Sequence, residues 1–184
     1  MAIEGKKIRC ILFGLGAIGS ITARGLIEVG VEIVGVCTRS SHVGDDLGAV
    51  LGTGTVGVAV SAVSEIRVQK GMADVAIFCT TGSIEELLGM ARTCLLNGIN
   101  VLTIADGAFF PDTFAPEAKR LLDEAAREGN ATILATGYQD GIMVNLPVLV
   151  TAITPWARSI SIHMQSDFTR PGQNSSRRLQ LGTT

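Results

Sequence analysis

Lys7-Ile8-Arg9-Cys10-Ile11-Leu12-Phe13-Gly14-Leu15-Gly16-Ala17-Ile18-Gly19-Ser20 decides how this chain is read. The apolar, partly β-branched run over 8–13 has the composition of a buried strand. It stops at three glycines in G-x-G-x-x-G spacing, Gly14, Gly16 and Gly19. Ile18, Ile21, Thr22 and Leu26 then follow at helical spacing, closing at Val29-Gly30. Strand, tight glycine turn and helix open a dinucleotide-binding βαβ unit. Gly14 permits the turn, Gly16 lets a pyrophosphate approach the backbone, and Gly19 lets helix and strand pack closely. Leu15, Ala17 and Ile18 complete the candidate phosphate loop. The helix N-terminus offers it N–H groups and a positive dipole end. An α/β domain that merely needs a tight turn would carry the same spacing, so that alternative stays open on this stretch alone.

Working outward, composition favours the same class. With 184 residues the chain suits one α/β domain with a real core and is short for two. Hydrophobic residues make up 47% and charged ones 17%, as a parallel sheet covered on both faces requires. The net charge of −2, one Trp and one Tyr leave neither a basic stripe nor stacking platforms for nucleic acid. Cys10, Cys37, Cys79 and Cys94 form no C-x-x-C pair. They read as buried, reduced thiols, and no metal site is expected. Two lysines precede the first apolar stretch as in a secretory signal, but Glu4 and the glycines argue against one. No run reaches the roughly 18 apolar residues of a membrane helix. A soluble, cytoplasmic protein is expected.

The periodicity predicts strand 7–13, helix 17–28 and strand 31–37, then a polar loop over 38–48. A short strand over 56–60, a helix or turn over 64–70 and a buried strand over 75–79 follow. Ser83 and Glu86 have capping-box spacing for a helix ending near Asn97-Gly98. Strand 100–104, a helix starting at Pro116 and stopping at Gly129, strand 132–136 and helix 141–153 complete the alternation. Strands alternating with helices specify a doubly wound parallel sheet of Rossmann type, α/β in class. The dinucleotide-binding domain is expected over 1–158. Residues 159–164 alternate like the first strand of a second domain, and the polar stretch 167–184 reads as a disordered tail. Residues 159–184 thus read as the start of a truncated substrate domain.

In open α/β sheets, ligands bind beyond the carboxyl ends of the strands. After the second strand, an acid would bind the adenosine ribose, whereas an arginine accepts a 2′-phosphate. Here Thr38, Arg39 and Ser40 come first, with no carboxylate until Asp45. A guanidinium flanked by hydroxyls suits a phosphate dianion, which favours NADP over NAD; a solvated loop arginine is the alternative. Cys79, Thr80 and Thr81 follow the fourth strand, where small hydroxyl residues line a nicotinamide ribose. Asp106, after the fifth, could hold an ammonium group or accept a proton, or it is an ordinary turn residue before Gly107. Gly137, Tyr138 and Gln139 follow the sixth. Tyr138 is a candidate hydrogen-bond donor for catalysis, and Gly137 and Gln139 are candidate cofactor contacts. Asp140 reads as a helix cap. His42 and His163 have no partner at catalytic spacing and receive no role.

Taken in order, these segments resemble the cofactor-binding half of the dihydrodipicolinate reductase-like oxidoreductases. Within them they look most like the group of 2,4-diaminopentanoate dehydrogenase and related amine dehydrogenases. The stretches that carry the likeness are 11–19, 44–48 running to Gly57-Val58, 79–81, 105–111 and 137–147. The resemblance implies hydride transfer between NAD(P) and the carbon of an amine/imine pair, with a small amine or amino acid as substrate. It also implies that Asp106 is the acid that positions the amine. Two departures stand out. Gly107 occupies a place where a second acid is often found, and the residues after 165 are too few and too polar for the family's substrate domain. The paired-histidine, lysine-containing motif of true dihydrodipicolinate reductases is absent.

Two functions of different class follow. One is an NAD(P)-dependent oxidoreductase of amine dehydrogenase type, or its cofactor-binding portion. The other is a catalytically silent dinucleotide-binding sensor or assembly module. Apolar surface left without a second domain predicts a homo-oligomer.

Overall fold

The structure, a computed structural model, describes residues 2–3, 5–80, 82–105, 107–163 and 165. The chain divides into two compact units, Met1–Ala135 and Thr136–Thr184.

In the first unit, a short antiparallel pair (Ala2–Ile3 with Lys6–Lys7) precedes a six-stranded sheet. Its strands are β1 (Arg9–Phe13), β2 (Glu32–Thr38), β3 (Val60–Ala62), β4 (Val75–Phe78), β5 (Asn100–Thr103) and β6 (Ile133–Ala135). The spatial order is β3-β2-β1-β4-β5-β6 and every pairing is parallel. That is the doubly wound order, with its switch point between β1 and β4. The helices are α1 (Ala17–Glu28), α2 (Leu47–Leu51), α3 (Ile84–Leu96), α4 (Pro111–Phe114) and α5 (Pro116–Gly129).

Side-chain alternation along β1 builds a core on each face. Ile11 and Phe13 join the α3 and α5 residues Leu87, Ala91, Leu95, Leu122 and Ala125. Leu12 joins Leu15, Ala23, Val36, Leu47 and Leu51 on the α1 and α2 side. A register shift opposite Cys10 and Ile11 skips Val34 in β2. It puts Ile33 and Val36 on one face despite their odd spacing. Phe13 and Phe78, paired in register on β1 and β4, stack with ring centroids 4.4 Å apart. Such a pair contributes about 0.5–1.5 kcal/mol beyond its burial.

The structure corrects the sequence reading at several places. Residues 56–59 lie outside β3, because a side chain captures the backbone N–H groups of Val56 and Gly57. Helix α2 begins inside the loop expected over 38–48 and runs past it, and α4 falls where no element is predicted. Ser83 caps α3 without a side-chain bond to the backbone. Its hydroxyl bonds Glu85 instead and holds that carboxyl below its usual range.

The second unit contains a π-helical stretch, Tyr138–Asn145, that continues into α6 (Leu146–Ala152). This helix starts three residues before the expected 141. Pro147 lacks an N–H and crowds the carbonyl four residues back, which favours a widened preceding turn. Residues 157–163 are exposed and not in a strand, contrary to the alternation at 159–164. A strand forms only where another pairs with it, and no described residue does so here. The tail expected over 167–184 lies outside the described residues.

Candidate functional site

The phosphate loop is built by one close approach at the switch point. Gly14 has φ +95° and donates its N–H to the Cys37 carbonyl at 2.8 Å. A Cβ there would sit 3.0 Å from the Cys79 carbonyl oxygen, so the β1 turn lies against the end of β4. At Gly19 a methyl would fall on the Gly14 carbonyl oxygen. Both glycines are therefore required by the protein's own packing.

Gly16 differs. A Cβ at this position would meet nothing within 4 Å. It is the N-cap of α1, with no side-chain cap and no acidic residue in the first turn. The two other long helices of this unit carry acids there, Glu85 and Glu86 in α3 and Glu117 in α5, and the short α2 has Asp46 as its N-cap. The positive end of α1 is thus left uncompensated beside open space, the arrangement a diphosphate requires.

Leu15 is buried in the core, while Ala17 and Ile18 are exposed. Seating Gly19 on the turn makes Gly19 and Ala23 the buried residues of α1. Ile18 and Ile21 are accordingly 49% and 68% exposed, unlike the remaining apolar residue of the expected pattern, half-buried Leu26.

Thr38, at the end of β2, is buried and its hydroxyl donates to the Ser41 carbonyl at 2.6 Å. It shapes the loop from within. Arg39 and Ser40 are exposed, and the Arg39 guanidinium has no partner among the described residues. The nearest carboxylates are engaged. Asp45 faces His42 at 3.4 Å. Asp46 accepts three backbone N–H groups, those of Gly48, Val56 and Gly57. These bonds, that from Val56 foremost, hold its carboxyl below the usual range. Sequence reasoning missed Asp46, although an Asp just before Leu47 has the signature of an N-cap.

Cys79 points inward, where its thiol bonds the Thr22 hydroxyl at 3.6 Å and burial raises its pKa. Thr80 is exposed, with its methyl against Gly14. Thr81 and Asp106 lie outside the described residues. Around them, Ala105 is buried and bonded to the Thr103 hydroxyl, and Gly107 takes φ +80° next to Phe114. The first unit therefore brings together Gly14, Gly16, Gly19, Cys79 and Thr80. In the second unit, Gly137 precedes the π-helical stretch and Tyr138 is exposed. The Gln139 side chain lies outside what is described. No group of His, Cys, Asp and Glu among the described residues could hold a metal. No described helix is long and apolar enough to cross a membrane.

No protein-family model matches the chain. It is 30% identical over 149 residues to 2,4-diaminopentanoate dehydrogenase of Acetoanaerobium sticklandii, covering 79% of this chain and 42% of that protein. The structure of amine dehydrogenase from Mycobacterium smegmatis matches with a TM-score of 0.71 and 34% identity, over 80% of this chain and 44% of the other. An engineered D-amino acid dehydrogenase shares the fold at a TM-score of 0.55 and 20% identity, over 80% and 41% of the two chains. The chain spans less than half the length of the relatives it matches. By sequence and by fold the chain is homologous to 2,4-diaminopentanoate dehydrogenase and to amine dehydrogenase, both over about 80% of its own length.

Proposed function

We propose that this chain binds a nicotinamide dinucleotide, NADP in preference to NAD, as the cofactor-binding portion of an amine dehydrogenase-like oxidoreductase. The observation that carries this is the uncapped, acid-free N-terminus of α1 beside open space at Gly16, located at the switch point of the sheet. The NADP preference rests on exposed Arg39 and Ser40, together with the engagement of Asp45 and Asp46 elsewhere.

The nicotinamide supplies or takes the hydride, exchanged with the carbon of an amine/imine pair. The chain's residues bind and orient it. N–H groups from Gly16 to Gly19 hold the diphosphate, Arg39 and Ser40 the 2′-phosphate, and Thr80 and Thr81 the nicotinamide ribose. Gly137 and Gln139 add cofactor contacts. Asp106 holds the ammonium of a small amine or amino acid, and Tyr138 is a hydrogen-bond donor to an acceptor atom of the substrate. The four free, buried cysteines suit a reducing compartment, the cytoplasm. Self-association is proposed through the second unit, where residues 141–157 carry no charge and Leu149, Ile153 and Trp156 are exposed.

Titration of nicotinamide fluorescence with NADPH and NADH tests the reading, and absence of binding to either overturns it. Steady-state oxidation of short diamines with NADP then tests the activity. Turnover supports the dehydrogenase, whereas tight binding without turnover supports a silent dinucleotide-binding module.

A further inference from the structure

The loop between β2 and α2 is organised around one carboxylate. Asp46 Oδ1 accepts the N–H of Gly48 at 2.8 Å and of Val56 at 2.9 Å, and Oδ2 accepts that of Gly57 at 2.7 Å. Backbone pairs flank it on both sides. Leu47 donates to the Val58 carbonyl, Gly44 to that of Val60, and Val60 back to that of Asp45. The other end of the loop is fixed by the Thr38 hydroxyl on the Ser41 carbonyl. Arg39 and Ser40 are exposed within the turn that this Thr38–Ser41 bond closes, the Asp46 bonds fix the segment that follows the turn, and no bond to Arg39 itself fixes its place.

A long cationic side chain on a mobile loop loses affinity to ordering entropy when it meets an anion. A loop already fixed at both ends avoids most of that cost. We infer that Asp46 is a positioning residue for the adenosine 2′-phosphate, holding the loop in the shape from which Arg39 and Ser40 meet it. This inference rests on the cofactor reading above. It assigns the carboxylate an indirect part in cofactor choice: three N–H groups take up three of its roughly four acceptor sites and commit it to the loop rather than to a ribose.

Asparagine at this position keeps the shape but offers one acceptor oxygen and an NH₂ group, leaving at least one N–H opposed by a donor. Binding of NADPH and NADH is measured by fluorescence for the wild type, Asp46→Asn, Arg39→Ala and the double variant. Asp46→Asn is expected to weaken NADPH about tenfold and NADH less than about threefold, with little further loss when Arg39 is already absent. A purely structural role would weaken both cofactors alike and add to the Arg39 effect, and that result overturns the inference. If Arg39→Ala alone lowers the NADPH preference, the inference fails while the cofactor reading stands. If the wild type binds neither nucleotide, both fall. Amide exchange on the wild type needs no variant to fold. NADPH is expected to slow exchange at Gly48, Val56 and Gly57 more than NADH does, and equal protection overturns the proposal.

Discussion

The α-carbon of Gly19 lies against the carbonyl oxygen of Gly14, so that a methyl group on residue 19 would fall on that oxygen and lie 3.5 Å from Cys79 Cβ. Gly16, three residues earlier, has open space where its own Cβ would stand. Two glycines of one motif are therefore separable by experiment. Gly19→Ala forces the turn and α1 apart, and overpacking of this kind costs about 1–3 kcal/mol. At about 2–4 °C per kcal/mol for a chain of this size, its melting temperature should fall by several degrees. Gly16→Ala makes no such clash and should cost about 1 kcal/mol or less, the loss from a poorer N-cap residue, which lowers the melting temperature by no more than about 4 °C. It should nevertheless weaken NADPH at least about tenfold, because the methyl occupies the space a diphosphate needs. Calorimetry and fluorescence titration on both variants check the pair. Unchanged affinity in Gly16→Ala would remove the diphosphate from this loop.

Arg39 tests the adenosine end. An exposed guanidinium with no partner among the described residues can be deleted at little cost to the fold. Arg39→Ala should weaken NADPH by about tenfold or more, the scale of a charge-assisted contact, and NADH by less than about threefold. Equal losses for the two cofactors would sink the 2′-phosphate assignment.

What the sequence made legible was local. The helix over 17–28 follows from glycine spacing and a following apolar pattern, and α1 occupies the same residues. Pro116 at the start of α5 and Gly129 at its end were equally readable, each acting through its own backbone. Bonds made across ten or more residues were not readable. Asp46 reaches Val56 and Gly57, which draws 56–59 away from the strand that their composition suggests. Burial was not readable even over a short span: Thr38 is a loop hydroxyl on paper but is buried and bonded to Ser41, three residues on, in the fold. Ile18 and Ile21 face outward because Gly19 alone can meet the Gly14 carbonyl, a steric demand that outranks hydrophobic periodicity.

The charge-free stretch of the second unit makes its own prediction. Leu149 and Ile153 are 66% and 82% exposed, and neither interrupts a described polar contact. If this surface drives self-association, sizing with light scattering should give an assembly larger than one chain. A Leu149→Glu, Ile153→Glu double variant should shift it toward the monomer, since burying two unpaired carboxylates in an apolar contact is unfavourable. A wild-type monomer at concentrations up to the millimolar range would end this reading.

The cysteines set the alkaline limit of stability. Burial pushes Cys10 up to about 12, with the neighbouring Cys79 thiol adding to it, and raises Cys37 to about 11. Cys94 is likewise pushed to about 12, by burial first and by Cys37 second. In the unfolded chain, thiols titrate near about 8.5. Below that pH both states keep the proton, and the stability gained from burying neutral thiols is fully present. Above it the unfolded chain releases protons that the folded chain retains, so stability falls with rising pH until the folded thiols ionise too. Each buried thiol contributes a slope of about 1.4 kcal/mol per pH unit in that window. The melting temperature should thus be flat from pH 7 to 8 and decline between pH 9 and 11. Cys37→Ala should make the decline shallower. Ellman's reagent should label no thiol in the native protein at pH 8 and all four in denaturant. Rapid labelling of the folded chain would contradict the burial of Cys79 beneath the glycine turn, and with it the packing that holds Gly14 and Gly19 together.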